Sequence, residues 1–287
     1  MKQKVYFTKK ISPENVLNLY KAVGKDLTKN VAVKIHSGET GNQNFLGPDF
    51  WKPVIEHVGG TVVECNTAYA GTRNSTEKHL NTMYEHGWSK HFKVDIMDSE
   101  QPDLILSVKN GKQINRNYVG KHLEKYDSLL VLSHFKGHPM GGYGGSIKQL
   151  SIGIASSHGK AYIHGAGDTN KIWTSDHDSF LESMADAASS VVDYFGENIV
   201  YINVMMNISV DCDCCAIAED PCMKDIGILA SLDPIAIDQA CIDLIYNSDD
   251  PGKVHLIERI ESRNGIHTIE TAAELGFGSR SYELIEI

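Results

Sequence analysis

The chain has 287 residues, 41% hydrophobic and 22% charged, enough to bury a sizeable core as one large or two modest domains. Its formal net charge of −10 excludes the broadly basic face that nucleic acid demands, while leaving room for a local basic pocket that takes a small anion. The first ten residues hold no apolar run of signal-peptide length, and no segment approaches the ~18 apolar residues of a membrane span, so the expectation is a cytoplasmic protein with no membrane partner.

Residues 5–7 read as a short apolar strand. Ser12, Pro13 and Glu14 then supply an N-cap, a proline at the first helical position and an early acid, and Val16, Leu17, Leu19 and Val23 form the stripe of a helix that Gly24 ends. The β-branched run 31–35 predicts a strand, and 36–47 a polar loop bearing glycines. Residues 48–58 predict a helix closed by Gly59 and Gly60, and 61–65 the next strand. Further along, 75–86 read as helix, 104–108 as strand, 118–126 as helix and 129–132 as strand. Strand–helix–strand order with short links predicts an α/β fold of mostly parallel sheets with covering helices. In such sheets ligand groups gather beyond the carboxyl ends of the strands, which puts His36, Asn66, Lys109 and His134 near one expected crevice.

After residue 164 the pattern gives a helix over 178–195, a strand over 199–206, a cysteine loop, a strand over 226–230 and a helix opened by Asp233 and Pro234. Two short helices (254–261 and 268–275) and an edge strand (282–287) complete the chain. No repeat or linker interrupts it. The expected organisation is one unit over 1–287, with two interleaved lobes near 1–133 and 165–287, joined by 134–164 and flanking a crevice that holds the site.

The segment 134–164 is the densest in chemistry. Between His134 and Gly145 it holds five glycines and two histidines in twelve residues, followed by Ser146 and Lys148. Such glycine density means that the backbone turns oddly or approaches something closely. Three readings stay open. In one, Gly142, Gly144, Gly145 and Ser146 cradle an anion with Lys148 as a point charge, although the spacing matches neither the P-loop nor the dinucleotide fingerprint. In another, His134 and His138 with His164 serve a metal or acid–base site. In the third, a tight glycine turn merely packs, its lysine and histidines solvated.

Cys212, Asp213, Cys214 and Cys215, with Cys222 further on, form the second cluster, and in a reducing compartment such a cluster points to metal or redox work before disulfides. Thiolates two apart are expected to reach one tetrahedral metal only with backbone distortion, and the spacing of an iron–sulfur cluster is missing. One or two sulfurs mixed with carboxylates or histidines stays open, against a loop whose small thiols simply pack. Cys65 and Cys241 read as core.

H-x-x-G-G-Y-G-G-S-I-K at 138–148, G-x-A-S-x-x-G-K at 153–160 followed by His164, C-D-C at 212–214 and D-I-G-I-L-A-S-x-D-P-I-A-I-D at 225–238 resemble the domain-of-unknown-function family numbered 362, as does GETGNQNFL at 38–46. The likeness covers nearly the whole chain. Longer members carry a ferredoxin-like insertion after the final histidine and a name that refers to an iron–sulfur cluster; here His164 runs straight on through Gly165, Ala166 and Gly167.

A more distant likeness is to the nickel-pincer lactate racemase family. His138, Lys148 ten residues on and His164 sixteen further keep its intervals, with Gly142, Gly145, Gly153 and Ala155 in register. The resemblance implies a proton-transfer base at His138, a covalent cofactor anchor at Lys148 and a metal ligand at His164. Ser146, Ile152 and Ile163 depart from its pattern.

The expectation drawn from these residues is a metal-dependent enzyme, racemase- or isomerase-like or redox, acting on a small anionic metabolite. His138 and Lys148 are its candidate catalytic groups, and Gly142, Gly144, Gly145, Ser146 and Lys148 its candidate cofactor-binding groups. His134, His164, Cys212, Asp213 and Cys214 are the candidate ligands of a divalent or transition metal. A nickel-pincer nucleotide or an iron–sulfur cluster is the cofactor alternative. A non-catalytic metabolite- or metal-binding module and an electron-transfer protein are the functional alternatives, and a homodimer is left open.

Overall fold

The computed structural model describes residues 2–287. In chain order it has β1 (Gln3–Thr8), α1 (Pro13–Val23), β2 (Val31–Lys34), α2 (Pro48–Val58), β3 (Thr61–Glu64), α3 (Thr76–Glu85), the one-turn α4 (Trp88–His91) and β4 (Val94–Ile96). A hairpin of β5 (Leu104–Ser107) and β6 (Arg116–Val119) precedes β7 (Ser128–His134). A second, smaller hairpin of β8 (Lys136–His138) and β9 (Gly142–Gly144) runs into α5 (Ser146–Lys148) and α6 (Ser157–His164). Then come α7 (His177–Phe195), β10 (Ile199–Met205), β11 (Gly227–Ser231), α8 (Pro234–Tyr246), α9 (Lys253–Ser262), α10 (Ile266–Leu275) and β12 (Tyr282–Glu286).

Eight strands make one sheet in the order β12-β1-β11-β10-β7-β2-β3-β4, parallel throughout except where β11 runs against β1 and β10. Strands from 1–133 and 165–287 therefore share a single sheet, with β10 hydrogen-bonded to β7. Every residue of β7 and of β10 is buried, as expected of central strands covered on both faces. Side chains alternate between the faces: Leu129 and Val131 join a core with Ala185, Ile237 and Ile269 of α7, α8 and α10, while Leu130 and Leu132 join Val16, Leu19 and Val54 of α1 and α2. The result is three layers, helix–sheet–helix.

The capping signals act as expected. The Ser12 side chain accepts from Asn15 N, and Gly24 and Gly59 close their helices in the left-handed region. Two expectations fail. Residues 104–108 do not enter the main sheet but pair with β6, whose partner stretch had read as the start of a helix over 118–126; that stretch is β6 followed by a 3₁₀ turn at Lys121–Lys125. The strand beyond β3 is instead β4, three residues with Asp95 in the middle, too short to show a period. Lys109 accordingly lies away from the crevice, exposed, with Nζ 3.1 Å from Asp193.

Candidate functional site

The carboxyl ends of β2, β3 and β7 and the loop after β10 meet at one edge of the sheet, where ligand groups collect in open α/β folds. They bring Lys34, His36, Glu64, His134, Lys136 and Cys214 to the wall of one cavity of about 40 Å³, which Arg73, Lys148 and Lys160 complete. Gly144 and Gly145 also line it, because the β8–β9 hairpin folds back over the sheet end. Lys148 is carried there by α5 and the five-residue π-helical turn Gln149–Gly153, a kind of irregularity that recurs at functional sites.

At the mouth, His138, Cys212 and Cys214 bring one donor atom each to within 4.8 Å of one another. Two sulfurs and an imidazole suit a soft or borderline transition metal, zinc included. The backbone departure that thiolates two apart require is a turn: Cys215 N donates to Cys212 O at 2.9 Å, and the two sulfurs lie within 4.8 Å of each other. His138 is buried on β8. Burial, and next the Lys148 charge, push its pKa down to about 4, so the ring is neutral at pH 7. Its Nδ1 accepts from Gly141 N at 2.8 Å and Met140 N at 3.1 Å, which leaves Nε2 toward the sulfurs, 4.0 Å from Cys214 Sγ. A metal at Nε2 would need the hydrogen of the neutral ring to move to Nδ1, at the expense of the contacts from Gly141 N and Met140 N.

The other expected metal ligands are engaged elsewhere. His134 spends Nδ1 on Asp213, 2.9 Å from Oδ1, and Nε2 on Met206 O at 2.6 Å, so both ring nitrogens are engaged within the fold. Asp213 also receives Lys136 Nζ at 2.7 Å. Burial alone would raise its pKa, but His134 and Lys136 outweigh that and hold the carboxyl well below the usual range. His164 lies outside the triplet: Nδ1 pairs with Lys160 O at 2.7 Å and the ring stacks on Phe180, 5.0 Å between centroids. Gly142 is not in the cavity wall; its φ of +77° and its approach to Gly265 fix the hairpin turn against the α9–α10 junction. Ser146 is tied down structurally, N to Asp238 at 2.8 Å and Oγ to Asn203 at 2.8 Å.

The thiols do not fit a four-thiolate iron–sulfur cluster. Among the described residues only Cys212 and Cys214 join the triplet, Cys222 turns its thiol to Ile208 O at 3.3 Å, and Cys65 and Cys241 are buried in the core as expected.

Sequence reading missed the buried cations. Lys34 pairs with Glu64 at 2.7 Å, and Arg73 donates from Nε to Glu39 at 2.9 Å with Nη1 3.9 Å from Glu64. Burial alone would raise the pKa of Glu64, but Lys34 and then His36, His79 and Arg73 hold it far below the ordinary carboxylate range. Lys160 donates to Ala155 O at 2.7 Å and Cys65 O at 3.3 Å, and Lys148 makes no ion pair among the described residues. The one signal open to a reader was a charged residue closing each apolar run, Lys34 after Val31–Val33 and Glu64 after Thr61–Val63.

Fold and site together define an α/β protein with a candidate imidazole–dithiol metal centre beside a cationic cavity. The chain belongs to the family described as domain of unknown function 362 (DUF362), whose profile matches residues 31–243. No curated protein sequence matches it. Among solved structures, it is similar to the lactate racemase apoprotein from Thermoanaerobacterium thermosaccharolyticum, at 15% identity and TM-score 0.42 over 69% of this chain and 50% of that one. It is also similar to a structural-genomics protein from Thermotoga maritima, at 12% identity and TM-score 0.47 over 91% of this chain and 58% of that one. The chain thus spans about half the length of these neighbours. Among the described residues no helix is long and apolar enough to cross a membrane.

Proposed function

We propose that the protein is a metal-dependent enzyme acting on a small anionic metabolite, with the metal held by His138, Cys212 and Cys214 and the anion drawn in by the cations of the adjoining cavity. One observation carries this reading: Cys214 belongs both to the triplet and to the cavity wall, so a metal there would face whatever the cavity binds. A bound metal would supply Lewis acidity at that face. Lys148, carrying no ion pair, is the group best disposed to hold substrate or cofactor.

The test is metal analysis of protein purified without chelator or affinity tag. Native protein should carry metal, and Cys214→Ser and His138→Ala should each weaken retention well beyond the ~10-fold that loss of an outer partner costs. His164→Ala should retain it. An absence of metal from the native protein, or loss in His164→Ala alone, would overturn the assignment.

A binding module without turnover is the second reading. It is favoured by the engagement of the histidines: His134 uses both nitrogens, and His138 Nδ1 already accepts two backbone N–H groups. If candidate metabolites bind and none is consumed by the metal-loaded protein, this second reading replaces the first.

A further inference from the structure

The cavity wall carries five cationic side chains: Lys34, Arg73, Lys136, Lys148 and Lys160. Three carboxylates pair with them, Glu64 with Lys34, Glu39 with Arg73 and Asp213 with Lys136. Five against three leaves at least two positive charges in excess. The figure does not depend on where the proton sits within the Lys34–Glu64 pair, since the pair is neutral either way.

The excess has an address. Arg73 is buried, 3% exposed, and its Nη2 has no hydrogen-bond partner, although Nε and Nη1 face Glu39 and Glu64. A buried guanidinium nitrogen left bare is costly, so native proteins rarely keep one without a partner. Lys160, also buried, spends two of its three hydrogens on backbone carbonyls and meets no carboxylate among the described residues. Lys148, half-buried in the same wall, makes no ion pair among the described residues. The cavity itself, about 40 Å³, has room for a compact head group and not for a large one.

We infer that the cavity binds a compact doubly charged oxyanion, the head group of a phosphate monoester or of a small dicarboxylate, between Arg73 Nη2, Lys148 Nζ and Lys160 Nζ. The inference rests on the proposed anionic substrate and narrows it: a monoanion would leave one positive charge buried without a counter-charge. The three residues come from different segments and line the same small cavity, and charge-assisted hydrogen bonds from several sides are what a multi-oxygen anion requires.

Calorimetric titration at fixed ionic strength, with inorganic phosphate at a pH where it is mostly dianionic, malonate and acetate as probes, tests it. It is run on both chelator-treated and metal-loaded protein. Phosphate or malonate should bind at least about tenfold more tightly than acetate, whichever of the two wins naming the head group. Lys148→Met, half-buried and free of ion pairs, should fold and lose about tenfold in that affinity; Lys109→Met, exposed and paired with Asp193, should lose nothing. Equal affinity for acetate and the dianions, or a Lys148→Met protein that binds unchanged, would overturn the inference. Retained preference for the dianion in a protein that never takes up metal would sink the metal reading alone. Metal uptake without any preference would sink this inference alone.

Discussion

Gly137 lets the two halves of the candidate centre touch. A Cβ built on it would lie 2.3 Å from Val210 O, so β8, which carries His138, and the loop that carries Cys212 and Cys214 meet backbone to backbone. Gly137 N donates to Ser209 O at 2.8 Å across the same contact. Gly137→Ala must push the two segments apart, and overpacking of this kind costs about 1–3 kcal/mol. Chemical denaturation should show that loss, and metal retention should fall with it; unchanged stability would mean that the contact is slack. The glycine density of 134–145 signalled such an approach in the sequence, but the partner was not legible, because it lies some seventy positions away. The cations were still less legible. Nothing local marks Arg73 as buried, nor Lys34 and Glu64, inside the expected strands 31–35 and 61–65, as partners that folding sets 2.7 Å apart. The backbone distortion that Cys212 and Cys214 need to bring their sulfurs together is the turn closed by Cys215 N, which the sequence did not show.

Among the elements, helices and central strands were legible where local and global demands agree: Ser12, Pro13 and Gly24 bracket α1 whatever it packs against, and the mostly apolar runs of β7 and β10 fit interior strands. The β5–β6 hairpin was not, since its anchor is remote. Asp186 of α7 is fully buried and its carboxylate accepts from Lys112 N at 2.9 Å, Gln113 N at 2.7 Å and Ile114 N at 3.0 Å, pinning the hairpin loop from across the fold. Asp186→Ala leaves three backbone donors without their acceptor at once. It should destabilise the protein by about 2–3 kcal/mol, the cost of leaving buried donors bare, and should speed amide exchange over residues 104–119 more than anywhere in β7 or β10. A uniform rise in exchange would instead make the carboxylate part of the global core.

At the scale of the whole molecule, composition averaged away the main electrostatic feature. A chain of net charge −10 holds a cavity walled by five cations, and that inward segregation has a consequence for stability. His79 of α3 is buried beside these charges, its Nε2 3.3 Å from Ser37 Oγ and its Nδ1 without a partner. Burial is the main cause that lowers its pKa, to about 3; Glu64 pulls the other way, while Arg73, Lys160 and Lys34 add to the lowering. In the unfolded chain the ring takes up a proton near its ordinary value of 6.5, and in the folded chain only near 3. Between those values the unfolded state binds more protons, so His79 makes the fold less stable as pH drops from 6.5, and the loss stops growing near 3. Between pH 7 and pH 5 this amounts to about 2 kcal/mol. Urea unfolding of the native protein and of His79→Gln at both pH values isolates the effect, since the other titrating groups are common to the two. The variant, neutral throughout, should gain about 2 kcal/mol on the native protein on going to pH 5. A difference that does not change with pH would mean that the folded ring is protonated as easily as the unfolded one, and that the cationic wall does not reach it.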